Sequence, residues 1–401
     1  MDLKSNEPFW LIKNGLPASY PSLQENKDCD VLIVGGGITG SLIAHQCIRD
    51  GYKTILIDKR EIGHGSSSAT TSMLQYELDK PLYLLAEMIG DKAAIAVYKA
   101  CYRAIDQIGN IARKIRSQAG FRKKRSLYFA DRKKDVETLR QELLARQRAG
   151  FAVKWLEAGE IRDTFGLHNT WGGILSQQGA SIDAFMFVHE LLAWNRRKEL
   201  QVYDRTELTE VNDASRYTNA LVQTGATIRC KKIVYCVGYE SAHLIKEKFV
   251  DLISTYAIVS EVMPGLSRQY RDVLIWNTAN PYLYMRSTND GRMLVGGADE
   301  PFRDPARRDA LLGKKEQRLI RSFEKYVPRH SFCSDFVWAG TFGSTKDSLP
   351  YIGEHKDFAR SYFVLGFGGN GITFSATGME MVSAWLQRKK HLLTPYFAFD
   401  R

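Results

Sequence analysis

Residues 31–40 read V-L-I-V-G-G-G-I-T-G. A short apolar run breaks off at three closely spaced glycines, and apolar residues then recur at helical spacing over residues 38–50 until Gly51 stops them. In this G-x-G-x-x-G spacing Gly35 permits a tight turn, Gly37 lets the backbone approach a pyrophosphate, and Gly40 lets the new helix pack on the strand. Residues 53–57 (KTILI) alternate into a second buried strand that ends at Asp58. The pattern predicts a β-α-β unit. Its helix start offers free N–H groups and the positive end of the helix dipole, roughly half an elementary charge, to a phosphate. Asp58 lies eighteen residues past Gly40, where a carboxylate can accept bonds from ribose hydroxyls. The set points to a dinucleotide site, against the alternative of a purely structural glycine turn. An acid at 58 rather than an arginine disfavours a 2′-phosphate.

The same pattern returns near the C-terminus. Residues 361–375 read S-Y-F-V-L-G-F-G-G-N-G-I-T-F-S, again strand, glycines and helix, the helix running to about Gln387. Only thirty residues follow Gly371, and no returning strand with an acidic end stands among them, so a second complete dinucleotide site is not expected. A half unit makes sense if its helix start faces another anion. Reduced flavin carries negative charge along its N1 and C2-carbonyl edge, and N–H groups near residues 370–373 are of the kind that stabilises such charge. The alternative is a terminal helix merely docked on the sheet.

Between the two motifs the chain alternates helix and strand signals. Isoleucines at 95, 105, 108, 111 and 115 predict one long amphipathic helix over residues 86–116. Residues 127–130 and 153–157 read as strands, and 133–149 and 184–197 as helices. Strand signals cover 202–211, 220–225 and 227–237 and then dominate to about residue 300. The expected fold is α/β (α+β overall): a Rossmann-like nucleotide-binding domain with an inserted, mostly antiparallel β domain. Residues 1–27 read as an arm anchored by Phe9, Trp10 and Tyr20.

Composition excludes several classes. Apolar residues are 44% and charged residues 25% of 401, as in a soluble globular enzyme. No window approaches the length of apolar chain needed to span a membrane, and residues 1–10 lack the order of a signal peptide, so the cytoplasm is the expected location. Six scattered cysteines and eight scattered histidines show no metal-ligand spacing, and no metal is expected. Residues 111–150 hold 13 Lys and Arg against 4 Asp and Glu, most of the net charge of +11. That run is either a patch for nucleic acid, anionic lipid or an acidic substrate, or the solvated face of surface helices and a hairpin. The second reading is favoured.

Taken in order, GGGITG, an acid, the loop GSSS at 65–68, IRCKKIVYCVG, GRMLVGGADE, WAGTFGSTKDSLPYIG and GFGGNGITFS resemble the D-amino-acid oxidase, glycine oxidase and sarcosine oxidase family over residues 28–390. The GGNGITFS ending is most similar to members acting on secondary amines such as gamma-glutamylputrescine. The resemblance implies an FAD domain made of residues 28–84, 152–244 and 335–390 and a substrate domain made of 85–151 and 245–334. It implies that Gly35, Gly37, Ile38, Thr39 and Gly40, with Asp58, Lys59 and Arg60, hold the ADP part of FAD. Leu208, Val237 and Gly238 would flank the adenosine. Ser66, Ser67, Ser68 and Thr71, with Gly340 and Gly343, would surround the flavin, together with Gly369, Asn370, Gly371, Ile372 and Thr373.

Departures from the family bear on substrate and linkage. Where amino-acid-oxidising relatives carry an arginine in W-x-G-x-R-P, this chain has Trp338-Ala-Gly340-Thr-Phe342, and Phe342 cannot pair with a carboxylate. In Tyr282-Leu-Tyr284-Met-Arg286 the period of two sets both tyrosines and the arginine on one strand face. Arg286 is therefore the candidate clamp for a carboxylate, unless it meets a structural acid or solvent. Relatives with cysteine-linked flavin carry the cysteine in the tryptophan segment, where it is missing here. Those with a histidine link place it near Ala69, so a dissociable FAD is expected, with His64 as the remaining candidate for a link.

The resemblance implies hydride transfer from the carbon beside an amine nitrogen to flavin, giving an imine that hydrolyses, with oxygen or a quinone-linked carrier as acceptor. No acid–base residue is obligatory. Tyr256, Tyr282, Tyr284, Arg286 and Phe342 are expected to shape the substrate. The alternatives are a flavin enzyme acting on tRNA, suggested by the basic charge, and a non-catalytic FAD subunit that only transfers electrons.

Overall fold

The strand Lys27–Val34 is flanked on both sides by parallel partners, Thr54–Ile57 and Thr227–Tyr235. This explains its unbroken apolar centre: a strand covered on both faces has no side to leave polar. In the computed structural model, which describes residues 2–5 and 7–401, Val31 and Ile33 point into a core shared with four helices. These are Ile38–Arg49, Asp91–Lys114, Ala184–Arg196 and Gly371–Leu386. The intervening Leu32 points to the opposite face, where it meets Ile55, Ile233 and Phe363. The sheet runs in the order Tyr351–Gly353, Ser361–Leu365, Thr227–Tyr235, Lys27–Val34, Thr54–Ile57, Gln201–Tyr203, and the hairpin Leu208–Asp213 and Thr218–Val222 joins it where Thr218–Val222 pairs antiparallel with the first half of Thr227–Tyr235. All neighbours on the main path are parallel except Tyr351–Gly353.

A second sheet is ordered Ser334–Ser344, Asp251–Val262, Arg292–Pro301, Leu283–Ser287, Val273–Asn277, Arg122–Phe129, Gly173–Ser181, Met73–Leu74, with Val153–Leu156 beside Gly173–Ser181. It is antiparallel apart from the pair Val273–Asn277 and Arg122–Phe129. The expected combination of a parallel nucleotide-binding sheet and a mostly antiparallel sheet is present. The segments expected in the first domain do not all follow its sheet: Met73–Leu74, Val153–Leu156, Gly173–Ser181 and Ser334–Ser344 are strands of the second. Alternation reveals that a strand exists, but not which distant strand it will pair with.

Other local differences have similar causes. The helix expected over 86–116 is two helices, Leu82–Ile89 and Asp91–Lys114, because Gly90 adopts φ +86°, a value open to glycine at no steric cost. The strand expected over 202–211 is interrupted between Gln201–Tyr203 and Leu208–Asp213. The arm is anchored through Phe9, Trp10 and Tyr20, all buried, and Trp10 donates its indole N–H to the carbonyl of Thr70 at 2.7 Å.

The basic run is only partly a solvated face. Lys124 is buried on its strand and donates to the carbonyl of Arg271; burial lowers its pKa to about 7. Arg146 is buried between Glu142 (2.6 Å) and Glu77 (3.5 Å). Charged residues enter an interior when opposite charges or carbonyls await them, and sequence distance hides the Arg271 carbonyl and Glu77, though not Glu142 one helical turn before Arg146.

Candidate active site

The parallel strands Lys27–Val34, Thr227–Tyr235 and Ser361–Leu365 end at one cavity of about 490 Å³, whose other walls come from the second sheet. Gly35, Gly37, Ile38 and Thr39 line it. Gly40 lies behind them, where an added Cβ would overlap the carbonyl oxygen of Gly35, so the helix sits directly on the turn. Gly35 itself has φ +110°. At the end of the next strand, Asp58 accepts N–H bonds from Gly36 (2.6 Å) and Arg60 (2.8 Å). Burial raises its pKa to about 6, against the pull of those two donors. Lys59 and Arg60 both reach Glu240, at 3.0 and 2.7 Å. Burial alone would push Glu240 up, but the bonds from Arg60 and Lys59 outweigh it and hold its pKa at about 2. Leu208, Val237 and Gly238 line the same end.

The second glycine motif meets the cavity from the neighbouring strand end. Gly369, Asn370, Gly371 and Ile372 line it, while Thr373 is turned inward and bonds the carbonyl of Asn370 at 2.9 Å. The Asn370 amide donates to the carbonyls of Gln75 (3.0 Å) and Glu77 (2.9 Å), and the Gly369 N–H donates to Asp79 (3.1 Å). Thr39 and Ser375 hydroxyls lie 2.7 Å apart, tying the two motif helices together. Between the motifs, Ser66, Ser67, Thr71 and Gly340 line the wall, and the Ser67 hydroxyl accepts the N–H of Ile38 at 2.8 Å. Ser68 and Gly343 stand behind the wall: Ser68 bonds the carbonyl of Gly65 at 2.9 Å, and the Gly343 carbonyl accepts the N–H of Gly368 at 2.8 Å.

The residues expected to shape a substrate divide. Tyr282, Tyr284 and Phe342 line the cavity, and Tyr256 and Arg286 do not. On its strand Tyr256 lies between Thr255 and Ala257, which do face the cavity, so alternation turns the tyrosine into the opposite core. There its hydroxyl meets Glu300 at 3.2 Å. Arg286 is buried, and its guanidinium donates to the carbonyls of Thr71, Ser287 and Ile182. It is bonded to backbone rather than presented as a clamp. His64 does not line the cavity; its ring packs edge-on against Phe185 at 5.7 Å.

Among the wall residues that escaped the sequence reading are Asp79, Thr255 and Trp276. None sits in a motif, and only the pairing of distant strands reveals which face each shows. Among the described residues the cationic or imidazole side chains on the wall are Lys59, Arg60 and His243, all near Glu240. The far end carries Asp79, Trp276, Tyr282 and Tyr284. Glu247, His355 and Asp357 also come together, at the surface outside this cavity, with Glu247 paired to Lys356 at 2.8 Å.

FAD fits these walls. Glycines at 35–40, where added Cβ atoms would strike Cys236, Ile62, Ser67 and the Gly35 carbonyl, keep the turn tight so that the helix start at Gly37 opens on the cavity; Asp58 offers acceptors for ribose hydroxyls, and a second helix start opens on the same cavity.

Comparison with known proteins agrees with this geometry. Residues 30–384 match the family described as DAO, FAD dependent oxidoreductase. Glycine oxidase of Bacillus licheniformis is 27% identical over 89% of this chain and 92% of its own length. Gamma-glutamylputrescine oxidoreductase of Escherichia coli (strain K12) is 22% identical over 92% and 86%. The crystal structure of glycine oxidase from Geobacillus kaustophilus superposes with a TM-score of 0.77 at 20% identity, covering 93% of this chain and 98% of that one. With the family match spanning most of its length and FAD-compatible walls at the strand ends, the chain belongs to the DAO family of FAD-dependent oxidoreductases.

Proposed function

We propose that this enzyme oxidises the C–N bond of a small amine that is not held through an α-carboxylate. The observation that carries the reading is the makeup of the far end of the cavity, which is aromatic and acidic and has no Lys or Arg among its described wall residues. FAD, when bound, supplies the acceptor for the hydride leaving the carbon beside nitrogen; the amine N–H proton goes to water, the imine then hydrolyses, and oxygen or a quinone-linked carrier is the final acceptor.

The chain's own residues bind, orient and exclude water. Asp58 and the helix start at Gly37 would hold the ADP half. N–H groups at residues 370–373 would face the part of the flavin where negative charge develops on reduction. Tyr282, Tyr284 and Trp276 give the substrate a dry, shaped wall, and orientation and desolvation are the work such a site does. No side chain is needed as a base if the neutral amine is the reacting form. Phe342 stands on the wall where amino-acid-oxidising relatives carry an arginine, and Arg286 is engaged with three carbonyls. Both placements favour amines over α-amino acids.

The test is anaerobic mixing of the FAD-loaded protein with a panel of primary and secondary amines, α-amino acids and hydroxy acids while the flavin absorbance is followed. Bleaching by amines at lower concentrations than by α-amino acids is the expected result. Bleaching by a hydroxy acid and by no amine would end the proposal.

A further inference from the structure

Asp79 opens into the cavity, and the described residues give its carboxylate a single hydrogen bond, from the N–H of Gly369 at 3.1 Å. Its other oxygen has no donor among the described residues. A second acid, Asp299, lies near the same tyrosines, with Oδ1 buried and unpartnered among the described residues. Burial, then Asp79 and Asp299, raise the pKa of the Tyr282 hydroxyl, so the phenol stays neutral; burial also raises the Asp79 carboxyl, against the pull of the Gly369 N–H, and takes Asp299 to about 6. Trp276, Tyr282 and Tyr284 also stand on the cavity wall, and aromatic faces attract ammonium groups.

We propose that Asp79 anchors a second ammonium group of the substrate, one that does not react, so that the substrate class is a diamine or other aminoalkyl-ammonium compound. This rests on the amine-oxidation reading above. A reacting nitrogen must give up its proton before its lone pair can drive hydride from the neighbouring carbon. A fixed carboxylate holds the proton on any ammonium beside it, which suits a group that stays charged. A substrate carboxylate at this end would meet like charge from Asp79 and no described cation. Asp79 is thus a specificity-determining residue that selects by charge.

The experiment uses the FAD-loaded protein and two readouts. Tert-butylammonium, which has no hydrogen on the carbon beside nitrogen and cannot be oxidised, is titrated while the flavin spectrum is followed. Anaerobic bleaching is then measured with 1,5-diaminopentane, pentylamine and 5-aminopentanoate. The expected half-saturating concentration is at least about tenfold lower for the diamine than for pentylamine, with 5-aminopentanoate the poorest. Asp79→Asn should cut the diamine's advantage over pentylamine about tenfold or more and abolish the tert-butylammonium response; Asp79→Glu, which keeps the charge, should retain the diamine preference. Equal shifts for all three compounds, no shift, a preference for 5-aminopentanoate, or no binding of tert-butylammonium to the unaltered protein would each overturn the assignment. If tert-butylammonium binds through Asp79 but no amine bleaches the flavin, the oxidation reading fails and the cation site stands. If amines bleach it regardless of residue 79, the reverse holds.

Discussion

Arg286 donates through Nε to the carbonyl oxygen of Thr71 at 2.7 Å, bracing the strand Leu283–Ser287 against the chain that follows the Ser66–Ala69 turn. Its other donors reach Ser287 and Ile182, and its guanidinium lies 5.3 Å from the Trp10 ring. Burial lowers its pKa only to about 10, so it stays charged at neutral pH. Arg286→Met would leave three carbonyls without this donor, a loss of roughly 3 kcal/mol at the usual cost of buried unpaired groups. The expected outcome is a lower Tm and unchanged substrate ranking in flavin bleaching. A changed ranking at an unchanged Tm would show that Arg286 touches substrate.

Asp58 ties cofactor affinity to pH. Burial brings its carboxyl to about 6 despite two N–H donors, and ribose hydroxyls would bond its ionised form. FAD affinity is therefore expected to be level above about pH 7 and to weaken below 6 by up to about tenfold per pH unit. The cofactor-free protein carries the opposite signature. A folded pKa above the unfolded value of about 3.9 contributes stability at low pH, which is lost as pH rises from about 4 to 6. Asp58→Asn should flatten both profiles and weaken FAD binding. Fluorescence titration with FAD and urea unfolding between pH 4 and 8 measure the two effects.

Gly40→Ala places a methyl group where the Gly35 carbonyl oxygen stands. Backbone on both sides leaves little room to yield, so a loss of about 3 kcal/mol is expected, at the upper end of ordinary overpacking. The variant should purify with little bound flavin and a depressed Tm. A fully yellow variant with the parent Tm would mean that helix and turn are not held in the contact described.

Asn370 fastens the chain at 75–77 to the start of the second motif helix through two carbonyls. Asn370→Ala should cost about 1–3 kcal/mol and speed amide exchange over residues 74–79 more than elsewhere. Uniform exchange across the protein would show that the side chain does not hold this segment.

The two glycine motifs were legible because their constraints are local. Gly35 at φ +110° and the Gly35–Gly40 contact involve residues five apart, and they follow from steric rules that any chain obeys. Other features were not, because their causes lie far along the chain. Tyr256 alternates correctly with its neighbours, yet the face it shows depends on strands Ser334–Ser344 and Arg292–Pro301 on either side. Arg286 has the right chemistry for a carboxylate, but the carbonyls it meets belong to residues 71 and 182.

Sequence alone pointed to a dinucleotide at one helix start and to an anion before a second, and it determined that the fold combines a parallel with a mostly antiparallel sheet. Apolar period, glycine sterics and helix-end electrostatics act over a few residues, so they are written in consecutive positions. Tertiary structure decided that both helix starts share one cavity, that Asp79 and Trp276 belong to its wall, and that Lys124 and Arg146 leave the basic surface for the interior. Those outcomes depend on which distant strands pair and where buried charges find partners, and neither is encoded in any short stretch of residues.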